Sequence, residues 1–167
     1  HALGQPVACM RFMGGREYEL IRKGDASPAT EADRAAILRA GAMILPAVEP
    51  GSGPFPGRAM RWTAAPKTGG ERMAALSWYL ALMTDTCLGL TGARGPAIIE
   101  GPFARNPDYC AMLATLRPDG VEIASSATGT SAGAALLCVK AAPAPQTRAV
   151  APDPRLADYA ARWRGAL

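Results

Sequence analysis

The chain has 167 residues, of which 49% are apolar and 19% charged, and a formal net charge of +4. That balance excludes an intrinsically disordered segment and suits one well-packed domain. Its basic residues, among them Arg34, Arg39, Arg58, Arg61 and Arg72, are dispersed rather than interleaved with aromatics, so nothing points to nucleic acid as a partner.

Residues 7–13 (VACMRFM) read as a strand closed by Gly14-Gly15, and residues 16–23 as a helix. A loop over 24–28 follows. Thr30 caps a helix that runs to about Arg39, with Asp33 in place of the usual Glu or Gln of a capping box, and Gly41 ends it. Residues 43–46 are apolar at consecutive positions, which predicts a short buried strand. From 49 to 66, Pro50, Gly51, Gly53, Pro54, Pro56 and Gly57 deny the chain both helix and ladder. This stretch reads as a surface loop, with a lid beside a substrate as the alternative. The longest helix is expected over 71–90. Leu76, Leu80, Met83, Cys87 and Leu90 line one face, and Trp78, Tyr79, Ala81 and Leu82 make the others apolar. A helix apolar nearly all round is buried on more than one side.

The segment 97–137 organises the rest. Ile98-Ile99 is a β-branched run that stops at the turn Gly101-Pro102-Phe103. Asn106 followed by Pro107 is a cap residue and then a proline at the first helical position. Tyr109, Met112, Leu113 and Leu116 fall on one face of the helix so started. Pro118-Asp119-Gly120 ends it, residues 121–124 form a second strand, and the small residues from Gly129 to Ala135 open another helix. The result is an α/β unit with two glycine turns at the carboxyl ends of its strands, where open α/β sheets bind ligands. Past it, residues 141–145 (AAPAP) form a stiff linker. Asp153-Pro154 starts a last helix with Leu156, Tyr159, Ala160 and Trp163 on one face.

The four cysteines, Cys9, Cys87, Cys110 and Cys138, have no CxxC spacing, and His1 is the only histidine. That pattern points away from a zinc site and from a disulfide framework, and a reducing cytoplasmic compartment fits. The longest apolar run, residues 73–83, is shorter than a bilayer span requires. The chain opens on His-Ala-Leu rather than Met and enters a strand-like run at once, which reads as a cut through a larger protein.

A glycine turn after a strand brings backbone N–H groups close to a phosphate, and a helix start adds a favourable dipole. Neither turn is a P-loop or a GxGxxG motif, and each alone is what tight turns commonly use. Together they are more specific. Residues 98–107 (IIEGPFARNP) resemble the strand, glycine turn and helix of the adenosine motif of the FGGY carbohydrate kinases. Residues 128–137 (TGTSAGAALL) resemble that family's second signature, and the spacing between the two is also the family's. Residues 43–46, the helix 71–90 and the segment 11–17 (RFMGGRE) have counterparts there too, so the likeness runs from about residue 7 to 139.

This resemblance implies a ribonuclease-H-like (actin-like ATPase) α/β domain, a mixed sheet flanked by helices. Residues 1–140 would be part of the C-terminal, nucleotide-binding domain, and 141–167 a linker and final helix. It implies ATP and Mg²⁺ as cofactors, a sugar or polyol as substrate, and an N-terminal kinase domain as partner, with a homodimer left open. Gly101, Pro102 and Phe103 would lie against the nucleotide phosphates and ribose. Asn106 would cap the helix beside the adenosine, and Gly129 and Gly133 would belong to the adenine-side wall. Pro102 departs from the family's second glycine, which removes an N–H donor. The family's catalytic aspartate lies upstream of His1, so no residue here is assigned as catalytic or as a metal ligand. The chain alone is then expected to be inactive. A non-catalytic nucleotide-binding or interaction module is the alternative.

Overall fold

The computed structural model describes residues 4, 6–125, 133–135, 137–138 and 146–167. Its order is α1 (Gly14–Arg22), α2 (Glu31–Ala40), β1 (Ile44–Leu45), β2 (Arg61–Trp62), α3 (Gly69–Leu90), β3 (Ala97–Ile99), a 3₁₀ turn (Pro102–Arg105), α4 (Pro107–Leu116), β4 (Val121–Ala124), β5 (Thr147–Ala149), a second 3₁₀ turn (Pro154–Leu156) and α5 (Ala157–Gly165). The main sheet has the order β3-β4-β5. β3 and β4 run parallel, with Ile98 opposite Glu122, and β5 closes antiparallel on β4. β1 and β2 form a separate antiparallel pair. This is the expected α/β arrangement with a mixed sheet, and the two predicted strands of the 97–137 segment are neighbours.

α3 is the axis of the molecule. Thr68 caps its start by accepting from Glu71 N–H (2.9 Å), and α1, α2, α4 and β1 pack around it. Burial runs from Gly70 to Met83, broken only at Arg72, and resumes at Cys87. At 22 residues α3 is longer than its apolar run and, on length and composition alone, long enough to cross a bilayer. Here those apolar faces are covered by the other elements instead. Its last residue, Leu90, stands 61% exposed.

α5 is built into the same core. Leu156, Tyr159, Ala160 and Trp163 are all buried. Trp163 Nε1–H donates to Ile44 O (2.7 Å) and Tyr159 O–H to Ala42 O (2.9 Å), so both polar tips are satisfied where the rings are buried. Trp78 and Tyr159 meet edge to face at 4.9 Å.

One expectation is overturned. Residues 6–13 form no strand. The segment is held by single contacts, Gly53 N–H to Arg11 O (2.9 Å) and Met13 N–H to Ser52 Oγ (2.8 Å). Val7, Met10 and Met13 remain exposed. A β-like composition makes a strand only where a ladder partner is in register, and among the described residues the 49–53 loop offers point contacts in place of one. β2 and β5 are strands that the sequence pattern did not announce. Both are short and their side chains are not buried, so they lack the apolar alternation that marks a strand.

Candidate functional site

The turn after β3 owes its shape to Gly101, whose φ of 73° and ψ of −158° lie in a region essentially closed to residues with a Cβ. Pro102 then fixes the first position of the 3₁₀ turn, and Ala104 N–H donates back to Gly101 O (3.2 Å). Asn106 ends this turn and starts α4: its Oδ1 accepts from Tyr109 N–H (3.0 Å), as the Asn-Pro pair predicts. Its Nδ2 donates to Ser77 Oγ (2.9 Å), and Ser77 O–H donates to Met73 O (2.8 Å). The cap of α4 is thereby tied to the middle of α3. Phe103, half-buried, packs between Tyr18 of α1 (5.7 Å between centroids) and Tyr109 (5.2 Å).

That contact brings α1 to the site, a neighbour the two glycine motifs did not indicate. α1 starts at Gly14-Gly15 with no side-chain cap, and its first internal bond runs from Glu17 N–H to Met13 O (3.0 Å). The N–H groups of Gly14, Gly15 and Arg16 precede that bond, which is the condition for binding an anion at a helix start. A cavity of about 280 Å³ lies between Gly15, Tyr18 and Glu19 on one side and Pro102, Phe103 and Asn106 on the other. A second of about 290 Å³ shares Tyr18, Pro102 and Asn106 and extends to Ser27 and Arg34. They meet along Tyr18, Pro102 and Asn106 as one groove, with Phe103 lining its first part. Among the described residues, a Cβ added to Gly15 or Gly101 would meet nothing within 4 Å, and Gly15 lines the groove itself.

Pro102 has no N–H, and that of Ala104 is engaged by Gly101. The 3₁₀ turn is therefore poor in outward donors, while the start of α1 is rich in them. Gly133 sits in an exposed helical turn, and among the described residues a Cβ there would meet nothing within 4 Å. Gly129 lies outside the described residues. Because β3 and β4 are parallel, the chain leaves both at the same end of the sheet.

The acids near the groove are occupied. Asp108 holds Arg34 through two bonds (2.5 and 3.1 Å), and Glu19 pairs with Arg22 (2.7 Å). Asp25 and Asp33 lie over the start of α3, where a Cβ on Gly69 or Gly70 would collide with their carboxylates. Asp33 there accepts from the Thr30 and Thr68 hydroxyls, which hold its pKa below the usual carboxylate value. No group of three His, Cys, Asp or Glu among the described residues could hold a metal ion. This donor set suits the backbone cradling of an anion and does not fit a protein-held Mg²⁺.

A family model described as "Carbohydrate kinase FGGY, C-terminal domain" matches residues 1–148. The solved structure of a carbohydrate kinase from Novosphingobium aromaticivorans superposes with a TM-score of 0.81 at 36% identity, over 93% of this chain and 36% of that one. A xylulose kinase from Rhodospirillum rubrum superposes with a TM-score of 0.57 at 18% identity, over 91% and 36%. This chain thus spans about a third of the length of the solved structures it matches. No curated protein matches it. The fold is the ribonuclease-H-like, actin-like ATPase type, and the chain belongs to the FGGY carbohydrate kinases, within their C-terminal domain.

Proposed function

We propose that this chain is the nucleotide-holding part of a cytoplasmic kinase that transfers the γ-phosphate of ATP to a hydroxyl of a sugar or polyol. The observation that carries the reading is the convergence of two glycine-started elements on one groove. Gly15, at the uncapped start of α1, lines one side of the groove, and Pro102, Phe103 and Asn106, which follow the Gly101 turn, line the other. Donors pointed at one place from a helix start receive phosphate through backbone and dipole, with no charged side chain needed. In this proposal Phe103 and Asn106 bound the groove on the nucleoside side. Gly129 and Gly133 belong to the adenine-side wall, reached from the end of β4.

Phosphoryl transfer further requires a base for the acceptor hydroxyl and a metal on the phosphates. The carboxylates beside the groove are committed to arginines. In this reading Mg²⁺ therefore arrives on the nucleotide, and the base comes from an N-terminal domain of the complete protein. The test is an ADP-release assay with Mg²⁺-ATP against pentoses, hexoses and polyols, on the complete protein and on residues 1–167 alone. The complete protein is expected to respond to at least one sugar or polyol and the isolated chain to none. A sugar-dependent signal from the isolated chain, or none from the complete protein with any acceptor, would overturn it.

A further inference from the structure

Glu17 is wholly buried. It lies on the same face of α1 as Ile21, one turn away, where an aliphatic residue would pack without the cost of desolvating a carboxylate. What its oxygens hold accounts for the choice. Oε2 accepts from Tyr79 O–H (2.8 Å) and Oε1 from Glu49 N–H (3.0 Å). Glu49 also pairs with Arg16 (2.5 Å). Three residues on, the buried Ser52 Oγ accepts from N–H of Met13, the residue that precedes α1. The 49–53 loop and α3 thus grip the first turn of α1 from the inside and leave Gly15 open on the outside, while Gly14 stands against the Phe12 ring.

The same stretch of α3 grips the opposite wall. Tyr79 holds α1 through Glu17, and Ser77, two residues earlier, holds the α4 cap through Asn106. Both walls of the groove are therefore referenced to one buried helix. We propose that Glu17, anchored by Tyr79, is a positioning residue for the nucleotide: it sets where the glycine start of α1 stands relative to Pro102 and Asn106. This rests on the reading of that groove as the nucleotide site.

The experiment measures binding of adenosine 5′-(β,γ-imido)triphosphate with Mg²⁺ to the complete protein, together with thermal melting and the KM for whichever sugar it phosphorylates. Tyr79→Phe removes the donor, Glu17→Leu removes the acceptor and the buried charge, and Gly15→Leu obstructs the groove directly. Tyr79→Phe and Glu17→Leu should each weaken nucleotide binding by about tenfold, the scale of one hydrogen bond to a charged group, with sugar KM unchanged. Glu17→Leu should also melt below the parent, because the Tyr79 O–H and the Glu49 N–H lose their acceptor. If Gly15→Leu loses the nucleotide while Tyr79→Phe and Glu17→Leu bind it as the parent does, the positioning role is overturned and the groove stands. If Gly15→Leu binds normally, the groove reading fails and this proposal with it. Equal losses of nucleotide affinity, sugar affinity and melting temperature in Tyr79→Phe would make Glu17 purely structural and also overturn it.

Discussion

The two ends of α3's surroundings are built on opposite principles. Around Trp78, Tyr79, Tyr159 and Trp163 every ring is covered, and the polar tips of Tyr159 and Trp163 are bonded to Ala42 O and Ile44 O. Around Gly15 and Gly101 added atoms would meet open space among the described residues. The first region is specified by side chains filling volume, the second by backbone conformation that side chains would obstruct. Truncating the packed rings should cost stability, and side chains added to the open backbone should cost ligand beyond any strain in the backbone itself.

Trp163→Ala is the strongest challenge on the packed side. It removes a buried ring and its bond to Ile44 O, and urea unfolding should show a loss of about 3–5 kcal/mol. A loss below about 1 kcal/mol would mean that α5 is not part of the core as described. On the open side, Gly101→Ala should cost about 1–3 kcal/mol through backbone strain alone. Asn106→Ala should cost about 1 kcal/mol for the lost cap of α4. Gly15→Leu should shift stability by less than about 0.5 kcal/mol, since it sits exposed with space around it. Its cost should appear in nucleotide affinity instead, and a destabilised Gly15→Leu would break the comparison.

The smallest effects are in pH dependence. Asp33 is held below the usual carboxylate value by the Thr30 and Thr68 hydroxyls. Its contribution is present above the unfolded value and lost as pH falls through the folded one. Burial pushes Glu17 the other way. Stability gained from its protonated form is present below the unfolded value and lost as pH rises through the raised folded value. Denaturation midpoints between about pH 3 and 7 should therefore show a shallower acid fall in Asp33→Asn. Over the same range Glu17→Gln should lose less stability than the parent as pH rises.

Local chemistry made much of this legible. The Thr30–Asp33 capping box, the Asn106-Pro107 start of α4 and the all-round apolar α3 each follow from a few adjacent residues, and each is present. The glycine turn after β3 was readable for the same reason, because the positive φ must be satisfied within the turn itself. What failed depended on distant partners. Whether residues 7–13 pair as a strand is decided by the 49–53 loop, and β5 exists because β4 offers it an edge. The approach of α1 to Phe103 is likewise a tertiary fact. Glu17 did carry a signal, a carboxylate one turn from Ile21 on the inward face, but its meaning depends on Tyr79, which lies 62 positions away.

The central claim is that the bare backbone at the start of α1 and at the turn after β3 receives one nucleotide. Amide hydrogen exchange of the complete protein, with and without adenosine 5′-(β,γ-imido)triphosphate and Mg²⁺, tests it directly. Protection should rise together at residues 14–18 and 101–106 and stay unchanged along α5. Protection that appears elsewhere and leaves both segments at their free rates would contradict the account.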